Sequence, residues 1–397
     1  MRILELIFSF QAGSKAGGIL RFSADLGKAL MQRGFEIHLG ALFDFGSTVE
    51  KEKVVELKNQ GLDVFCAALW NKRFPHFSFY QAIKALWSWQ SCNKAHIVHS
   101  HSEFSDIAAL VLKLHPTRPF IIRTVHYGFH KEWRRKPWRR MVFTNFLYPL
   151  LFDLEIGVSQ TITSRLNSRF LSNVLKRSAL CIYNAIDLER FRNQVNRDSK
   201  RESLNIPPDV PLVGTVGRLT EQKGYFYLIE AIPLVLKENP DVHFLIVGDG
   251  ELSENLKQLA ASRGITHRTI FAGARPDVEE ILPCLDLFVS SSLWEGLPTV
   301  ILESMAANIP IVATDIPGTR ELIRDGHNGW LVPPRDAYAL ARAILEALKN
   351  KHLCEIFARR SSEVVLQFSI DSIAMQYERL FLSLLNSQST SIIFPKG

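Results

Sequence analysis

The chain is poor in cysteine and contains no cysteine pair at metal-binding spacing. Its 397 residues include five cysteines, which are widely spaced and form no C-x-x-C motif: Cys66, Cys92, Cys181, Cys284 and Cys354. Structural zinc sites and disulfide frameworks need closer or regularly paired cysteines. We therefore expect no metal site of that kind, and we predict a protein of a reducing compartment, the cytoplasm.

Long apolar runs are also absent. The longest candidate starts at Met141 and meets Asp153 after about a dozen residues, short of the roughly 18 that a membrane-spanning helix requires. The N-terminal MRILELIFSF carries Glu5 and no small-residue cleavage site, so we interpret it as a first β-strand and not a signal peptide. No G-x-G-x-x-G follows a predicted strand, which disfavours a dinucleotide oxidoreductase.

Acidic residues are scarce in two windows that carry the basic excess. The chain has 47 basic and 40 acidic residues, for a net charge of +7. Residues 118–140 hold eight basic residues and one acid, and residues 165–201 hold nine and three. Such patches favour an anionic ligand or surface. Nucleic-acid binding is not expected, because no recognition module is present.

Short apolar runs alternate with amphipathic helical patterns along the chain, which predicts an α/β protein with parallel sheets. The alternation is clear from Val210 onward and weaker before it. The polar, proline-closed stretch 193–210 is predicted to be the linker between an N-terminal domain, 1–192, and a C-terminal domain, 211–370. Residues 371–386 form one further amphipathic helix pattern. Ligands of such folds bind at the carboxyl ends of the strands.

Two carboxylates eight positions apart follow the predicted strand LDLFVSS. Glu295 lies in a loop, and Pro298 suits the first turn of a helix, which places Glu303 about one and a half turns in. A helix N-terminus favours an anion, so carboxylates beside it can bind the hydroxyl groups of a nucleotide-sugar. The alternative is a surface loop acid and a solvated helix residue.

Two cations and two glycines follow other strands of the same half. Arg218 and Lys223 lie in a strand-to-helix loop, where they can neutralise a pyrophosphate or be no more than charges at a rim. Gly248 and Gly250 form a tight turn that permits close approach to a base or ribose.

In the first half, Gly17 and Gly18 precede a helix and can bring backbone amides to an anion, or merely form a turn. His99, His101 and His126 end two predicted strands, where a lone histidine is more often structural than functional.

Short motifs in a fixed order extend over nearly the whole chain. They are A-G-G-I at Ala16, H-S-H-S at His99, T-V-H at Thr124, G-V-S-Q at Gly157, Y-N-A-I-D at Tyr183, G-R-L…Q-K-G at Gly217, G-D-G at Gly248 and E-G-L-P-T-V-I-L-E at Glu295. The ordered set resembles the retaining glycosyltransferases of family 4. The resemblance implies the GT-B fold, with two Rossmann-like domains whose parallel sheets face each other across a cleft. It also implies that the C-terminal helix, 371–390, completes the first domain.

The resemblance also implies roles for individual residues. Glu295 would bind the transferred sugar and His126, through its main-chain carbonyl or its ring, would stabilise developing charge at the anomeric centre. The donor would be held by Gly17, Gly18, Arg218, Lys223, Gly248, Gly250, Gly296, Leu297, Thr299, Val300 and Glu303. Arg218 and Lys223 would stabilise the charge on the leaving nucleotide, as a metal ion does in other enzymes, so neither metal nor cofactor is expected. A donor-binding protein without transferase activity and a GT-B epimerase are the alternatives.

The segment 131–140 interleaves Trp133 and Trp138 with six basic residues and precedes the apolar run from Met141. The acceptor is expected to be a glycan or a lipid-linked molecule. The composition of this segment favours anionic headgroups, which predicts a lipid-linked acceptor or peripheral binding to the inner face of the cell membrane. A solvated basic helix is the alternative.

Overall fold

The computed structural model describes residues 1–11, 17–126, 141–192 and 195–386. Contacts divide the chain into two compact units. Unit 1 contains Met1–Ala185 and Ile370–Gly397, and unit 2 contains Ile186–Ser369. Each unit is built around one parallel sheet, so the predicted α/β class is confirmed.

The sheet of unit 1 has seven strands in the order β3-β2-β1-β4-β5-β6-β7. Their bounds are β1 Arg2–Ile7, β2 Glu36–Asp44, β3 Asp63–Leu69, β4 Ile97–Ser100, β5 Phe120–Val125, β6 Leu154–Gly157 and β7 Leu180–Cys181. The central strands are buried on both faces, as expected when helices cover a parallel sheet on both sides. Strand order reverses between β1 and β4, and such a switch point is where open α/β sheets bind ligands.

The first helices of unit 1 are α1 Gly17–Gln32, α2 Thr48–Asn59, α3 Pro75–Asn93 and α4 Glu103–Leu112. They are followed by a π-helical turn, Phe143–Leu147, and by α5 Tyr148–Leu151, α6 Gln160–Asn167 and α7 Phe170–Val174. Local sequence sets several helix starts. Ser102 and Ser105 form a capping box at α4, and Ser159 caps α6.

The sheet of unit 2 has six strands in the order β10-β9-β8-β11-β12-β13. The bounds are β8 Leu212–Val216, β9 His243–Val247, β10 Thr269–Gly273, β11 Leu287–Ser290, β12 Ile311–Thr314 and β13 Trp330–Val332. Strands β8 and β9 are buried throughout. The switch point of this sheet lies between β8 and β11, and the loops after those two strands therefore meet at one edge.

The helices of unit 2 are α8 Leu188–Arg192, α9 Arg197–Ser203, α10 Tyr225–Glu238, α11 Ser253–Ser262, α12 Val278–Ile281, α13 Thr299–Ala306, α14 Pro317–Arg320, α15 Ala337–Lys349 and α16 Lys351–Val364. Short 3₁₀ turns lie at Glu221–Lys223, Leu282–Cys284 and Val365–Phe368. Helices α10 and α15 pack together and supply much of the apolar core of the unit.

Residues 195–210, the described part of the predicted linker, include a helix and a buried arginine. The helix is α9, and Arg201 on that helix is almost fully buried. The Arg201 guanidinium donates to the carbonyl groups of Cys284, Pro208 and Val210 and to the carboxylate of Asp286. These contacts attach the segment to unit 2.

A final helix, α17 Ile370–Asn386, follows unit 2 in the sequence but belongs to unit 1, where it packs against α1. Its buried face presents Tyr377 and Phe381 to the core of unit 1, and Arg33 pairs with Glu378 at 2.9 Å. The amphipathic pattern at 371–386 therefore corresponds to a helix whose apolar face is covered by the first unit.

Candidate functional site

Lys223 and Glu295 form an ion pair at the switch point of unit 2. Lys223 ends the 3₁₀ turn after β8, and Glu295 lies in the loop after β11. Their side chains meet at 2.6 Å between Nζ and Oε1, with 16% of the lysine and 8% of the glutamate side chain exposed. The structure thus brings together a cation and an acid that are 72 positions apart in the sequence.

The Glu295 carboxylate has further donors. Ser292 Oγ donates to Oε1 at 2.9 Å, and Gln222 Nε2 donates to Oε2 at 3.0 Å and to the carbonyl of Trp294. Neither Gln222 nor Ser292 was predicted from the sequence as a site residue. Gln222 is the first residue of the Q-K-G motif, and Ser292 directly follows LDLFVSS. With three donors on one carboxylate, the orientation of Glu295 is fixed before any ligand binds.

Two glycines allow the loops of this site to approach closely. Gly224 follows Lys223 with φ +60°, and a Cβ there would overlap the carbonyl oxygen of Ser291. Gly248 has φ +138°, and its Cβ would overlap the carbonyl oxygen of Gly217. Both positions combine a backbone conformation that favours glycine with a lack of space.

Arg218 is half-buried in the same loop. Its side chain makes no hydrogen bond or ion pair with any residue of the ranges that the structure covers. A guanidinium with five N–H donors, in the same loop as Lys223, can bind an anionic ligand.

Helix α13 places the other predicted donor residues. It begins at Thr299, one residue after Pro298, which is its N-cap and provides no side-chain cap. The first N–H groups of a helix have no acceptor within it, which leaves the amides of Thr299 and Val300 at the N-terminus. Glu303 is buried one turn further on, and Gly296 and Leu297 are buried in the loop before the helix.

A cavity of about 410 Å³ lies beside these loops within unit 2. Its lining includes Leu219, Gly248, Asp249 and Gly250 from the loops that follow β8 and β9, and Phe271 and Gly273 from β10. Two of the predicted donor-binding glycines therefore border a space of small-molecule size.

In unit 1, helix α1 begins at Gly17, and Gly18 is exposed with no atom within 4 Å of a Cβ placed on it. Residues 12–16 lie outside the described residues, as do residues 127–140, which include the predicted basic segment 131–140. His126 follows β5 and is 7% exposed.

His126 belongs to a chain of hydrogen bonds in the core of unit 1. Its Nε2 lies 3.1 Å from Nδ1 of His101, and its Nδ1 lies 3.1 Å from Oδ1 of Asn184. His101 Nε2 lies 2.6 Å from Oε2 of Glu5, which is itself fully buried on β1.

A second branch leaves Glu5 in the opposite direction. His99 Nδ1 lies 3.0 Å from Glu5 Oε2, and its Nε2 lies 2.7 Å from Thr124 Oγ1. Thr124 Oγ1 lies 3.1 Å from the hydroxyl of Tyr377 on α17. His99 and His101, which the sequence left as candidates for structural histidines, are therefore partners of one buried carboxylate.

Glu5, His99 and His101 also form the only group within the described ranges that has three potential metal-ligand atoms close together. Two ligands on a tetrahedral zinc, each about 2.0 Å from the ion, lie roughly 3.3 Å apart. The Glu5–His101 contact of 2.6 Å is instead a charge-assisted hydrogen bond. The geometry fits a hydrogen-bonded cluster better than a metal centre.

Comparison with known protein families gives a match to each half of the chain. Residues 16–190 match the model of "Glycosyltransferase Family 4", and residues 196–364 match that of "Glycosyl transferases group 1". The two models together cover nearly all of the chain up to residue 364.

Two curated relatives are similar in sequence. The lipopolysaccharide core biosynthesis glycosyltransferase LpsE of Rhizobium meliloti is 39% identical over 46% of this chain. The UDP-Gal:alpha-D-GlcNAc-diphosphoundecaprenol alpha-1,3-galactosyltransferase of Escherichia coli is 28% identical over 70% of it. The matched segments span 53% of the Rhizobium protein, about half of its length, and 72% of the Escherichia coli protein.

Solved structures share the fold. Anabaena HepE in complex with UDP and glucose has a TM-score of 0.80 at 21% identity, covering 96% of this chain and 100% of that one. Sucrose-phosphate synthase of Thermosynechococcus elongatus has a TM-score of 0.81 at 20% identity, covering 98% and 100%. The predicted GT-B fold is confirmed.

Replacing Gly224 with alanine is expected to destabilise unit 2 by considerably more than the same change at Gly264. Both glycines have positive φ, +60° and +69°, so each alanine pays roughly 1–2 kcal/mol for the left-handed conformation. Only at Gly224 does the methyl group also overlap a carbonyl oxygen, whereas at Gly264 the space is open. Urea unfolding of both variants gives the comparison, and equal losses would contradict it.

The stability of unit 1 should fall in mild acid. Burial, with the nearby His99, lowers the pKa of His101 from 6.5 to about 4. Burial alone would raise the pKa of Glu5, but His99 and His101 outweigh it and lower that pKa from 4.5 to about 2. Because the unfolded chain binds more protons in these intervals, stability is lost from pH 6.5 to 4 through His101 and from 4.5 to 2 through Glu5.

Urea unfolding between pH 7 and 4.5 measures this loss, followed by signals specific to unit 1. The slope of the free energy of unfolding against pH should be smaller in His101→Gln than in the wild type. It should be unchanged in His352→Gln, because His352 is exposed. A wild-type free energy that is constant from pH 7 to 5 is incompatible with a neutral, buried His101.

Proposed function

The chain belongs to the family 4 glycosyltransferases, and from this we propose that it transfers a sugar from a nucleotide-diphosphate donor to a glycan or lipid-linked acceptor. We further propose that the sugar keeps its anomeric configuration and that the product belongs to cell-surface polysaccharide, lipopolysaccharide or glycolipid. The observation that carries the proposal is the Lys223–Glu295 pair at the switch point of unit 2, in whose β8 loop Arg218 also lies.

Lys223 and Arg218 are assigned to the donor diphosphate. A lysine ammonium has three donors, and one of them is used on Glu295. The remaining two can reach phosphate oxygens, while the Arg218 guanidinium can bind two oxygens at once. Both cations stabilise the charge that develops on the departing nucleotide, so no metal ion is required in this proposal.

Glu295 and Glu303 are assigned to hydroxyl groups of the donor. Ser292 and Gln222 keep the Glu295 carboxylate oriented, so it can accept hydrogen bonds from the transferred sugar without reorganising. Glu303 lies one turn into α13, close in sequence to the first backbone amides of the helix at Thr299 and Val300, and is assigned to the ribose. The cavity bordered by Gly248 and Gly250 then takes the nucleoside.

His126 is assigned to the anomeric centre. Its two ring nitrogens already have partners in Asn184 and His101, which favours the main-chain carbonyl as the group that stabilises oxocarbenium charge. We propose that the sugar leaves and is attacked on the same face, and that the leaving phosphate accepts the proton of the acceptor hydroxyl.

Related proteins support the choice of substrates. The Escherichia coli relative is named as a galactosyltransferase that uses UDP-Gal and a diphosphoundecaprenol-linked acceptor. HepE is seen with UDP and glucose. We therefore rank nucleotide-sugars, with a UDP-sugar first, as donors to be tested. A protein that binds the donor without transferring it, or an epimerase, would retain the binding site and lack transfer.

Lys223→Ala is expected to lower the rate of transfer by about 100-fold to 1000-fold, because it removes one preorganised donor to the leaving group. Transfer and donor hydrolysis are measured over UDP-, GDP- and ADP-sugars with the full chain. The matched control is Lys349→Ala, which breaks a surface ion pair with Glu238 in the same unit and should leave the rate unchanged. Normal turnover by a folded Lys223→Ala variant would contradict the assignment of Lys223 to the donor diphosphate.

We also propose that unit 1 docks peripherally on the cytoplasmic face of an anionic membrane. Within the described ranges no helix is both long and apolar enough for a membrane crossing. Exposed apolar side chains instead lie together on the helical segment 141–151 and on α7, which contact each other. They are Met141, Val142, Phe146 and Leu150 on the first and Phe170 and Val174 on the second.

Basic residues near these apolar side chains favour binding to an anionic membrane. The exposed Arg165 and Lys176 lie on α6 and just after α7, and the sequence 131–140, with six basic residues, directly precedes Met141. Such cations add about 1 kcal/mol each near an anionic surface.

A buried ion-pair cluster holds the helical segment in place from inside. The Arg169 guanidinium pairs with Glu155 and donates to the carbonyl of Thr144 at 2.8 Å. Arg123 lies 4.1 Å above the ring of Tyr148 and pairs with Asp106 at 3.1 Å.

Replacing Phe146 and Leu150 together by serine should weaken binding to phosphatidylglycerol vesicles by about tenfold, through loss of apolar burial. Flotation with anionic and with phosphatidylcholine vesicles measures it. Phe226→Ser, at a similarly exposed aromatic of unit 2, is the control and should float like the wild type. Equal recovery of wild type and double variant with anionic vesicles would exclude this surface.

A further inference from the structure

The buried carboxylate of Glu5 fixes the direction of the hydrogen bonds around it. Two histidine nitrogens face one of its oxygens, His99 Nδ1 at 3.0 Å and His101 Nε2 at 2.6 Å. An ionised carboxylate accepts hydrogen bonds and donates none. Both nitrogens must therefore carry a proton. The pKa of Glu5, about 2, keeps it an acceptor at any physiological pH.

This constraint passes through His101 to His126. Because Nε2 of a neutral His101 holds the ring proton, its Nδ1 is an acceptor. The atom facing that acceptor is Nε2 of His126, at 3.1 Å, which must therefore be an N–H donor. The protonation of His126 Nε2 is thus set by a carboxylate that does not touch it.

The other side of the His126 ring is also occupied. Asn184 Oδ1 lies 3.1 Å from Nδ1. Because an Nδ1 without a proton is an acceptor, the relay requires the Asn184 amide to turn so that its NH2 group takes this position and donates to the ring. The ring of Phe22 packs edge-on with 5.3 Å between ring centroids. Rotating the ring would break two hydrogen bonds in a site that is 7% exposed, where unsatisfied polar groups are costly. The orientation of residue 126 at the end of β5 is therefore held from two sides.

We propose that Glu5 is a positioning residue for sugar transfer: acting through His101, it commits the Nε2–H of His126 to the protein and so fixes the placement of residue 126. The expected effect on the rate of transfer rests on the proposed function. The protonation and orientation of His126 do not depend on that function. Glu5 touches no predicted donor residue, and its influence is relayed entirely within unit 1.

The tautomer of His126 tests the structural content directly. In full-length protein with ¹⁵N-labelled histidine, long-range ¹H–¹⁵N correlation spectra report which ring nitrogen carries a proton, and His126→Asn assigns the signal. The wild type is expected to show a protonated Nε2 on His126 at pH 7. An unprotonated Nε2 there overturns the proposal without need of any variant.

Glu5→Gln tests the relay. The amide keeps the size of the side chain but no longer requires a proton on both histidine nitrogens, so the His126 ring signals should shift or broaden. Transfer should fall about 10-fold to 100-fold in kcat, as expected for a misplaced group. The KM for the donor should be nearly unchanged, since Arg218 and Lys223 belong to unit 2.

Tyr377→Phe is the matched control. It deletes one hydroxyl at the far end of the other branch, where Tyr377 contacts Thr124, and leaves the Glu5–His101–His126 contacts in place. Its His126 signals and kcat should match those of the wild type. Unaltered His126 signals and kcat in Glu5→Gln would overturn the proposal.

The two hypotheses fail in different ways. If the wild type transfers no sugar from any donor while Glu5→Gln still alters the His126 signals, the proposed function fails and the relay stands. If the wild type transfers sugar and Glu5→Gln loses rate without any change at His126, the relay fails and the function stands.

Discussion

In each unit, a carboxylate at the switch point of a parallel sheet must be paired where water is largely excluded. Glu5 lies within β1 and meets two histidine rings, and Glu295 follows β11 and meets Lys223, Ser292 and Gln222. An unpaired buried charge costs several kcal/mol, so the surrounding loops and strands can adopt only arrangements that supply these donors. Satisfying those two acids orients Lys223 directly and His126 through His101.

The two acids are used differently. Glu295 and Lys223 neutralise each other but retain unused donors and acceptors, as a site that exchanges protein partners for a ligand must. Glu5 has its partners inside the protein and lies behind the residue assigned to the anomeric centre. A carboxylate proposed to bind the ligand and a supporting carboxylate thus both lie beside switch points, the first in the loop after β11 and the second within β1.

Sequence alone predicted the alternating elements. It also named the residues that we propose for the donor site, because strand-end glycines, cations and acids occur in short motifs. It could not predict contacts between positions far apart. Glu5 was visible as a charge inside an apolar strand, yet its partners are 94 and 96 positions away. The burial of Arg201 could not be predicted either, because a basic residue in a polar stretch is typical of a linker. Its acceptors are the carbonyl groups of Cys284, Pro208 and Val210, and only the folded structure brings them together.

Helix α17 has a consequence for how the chain acquires its structure. Unit 1 is interrupted in sequence by the whole of unit 2, and the face of α1 that α17 covers stays open until residues 370–386 have been synthesised. During translation, unit 2 can therefore fold to completion while unit 1 waits with exposed apolar surface, the reverse of the usual order in which N-terminal domains finish first. Tyr377 joins the His99 branch only at that last step, so the buried polar cluster is among the final parts of the protein to be completed.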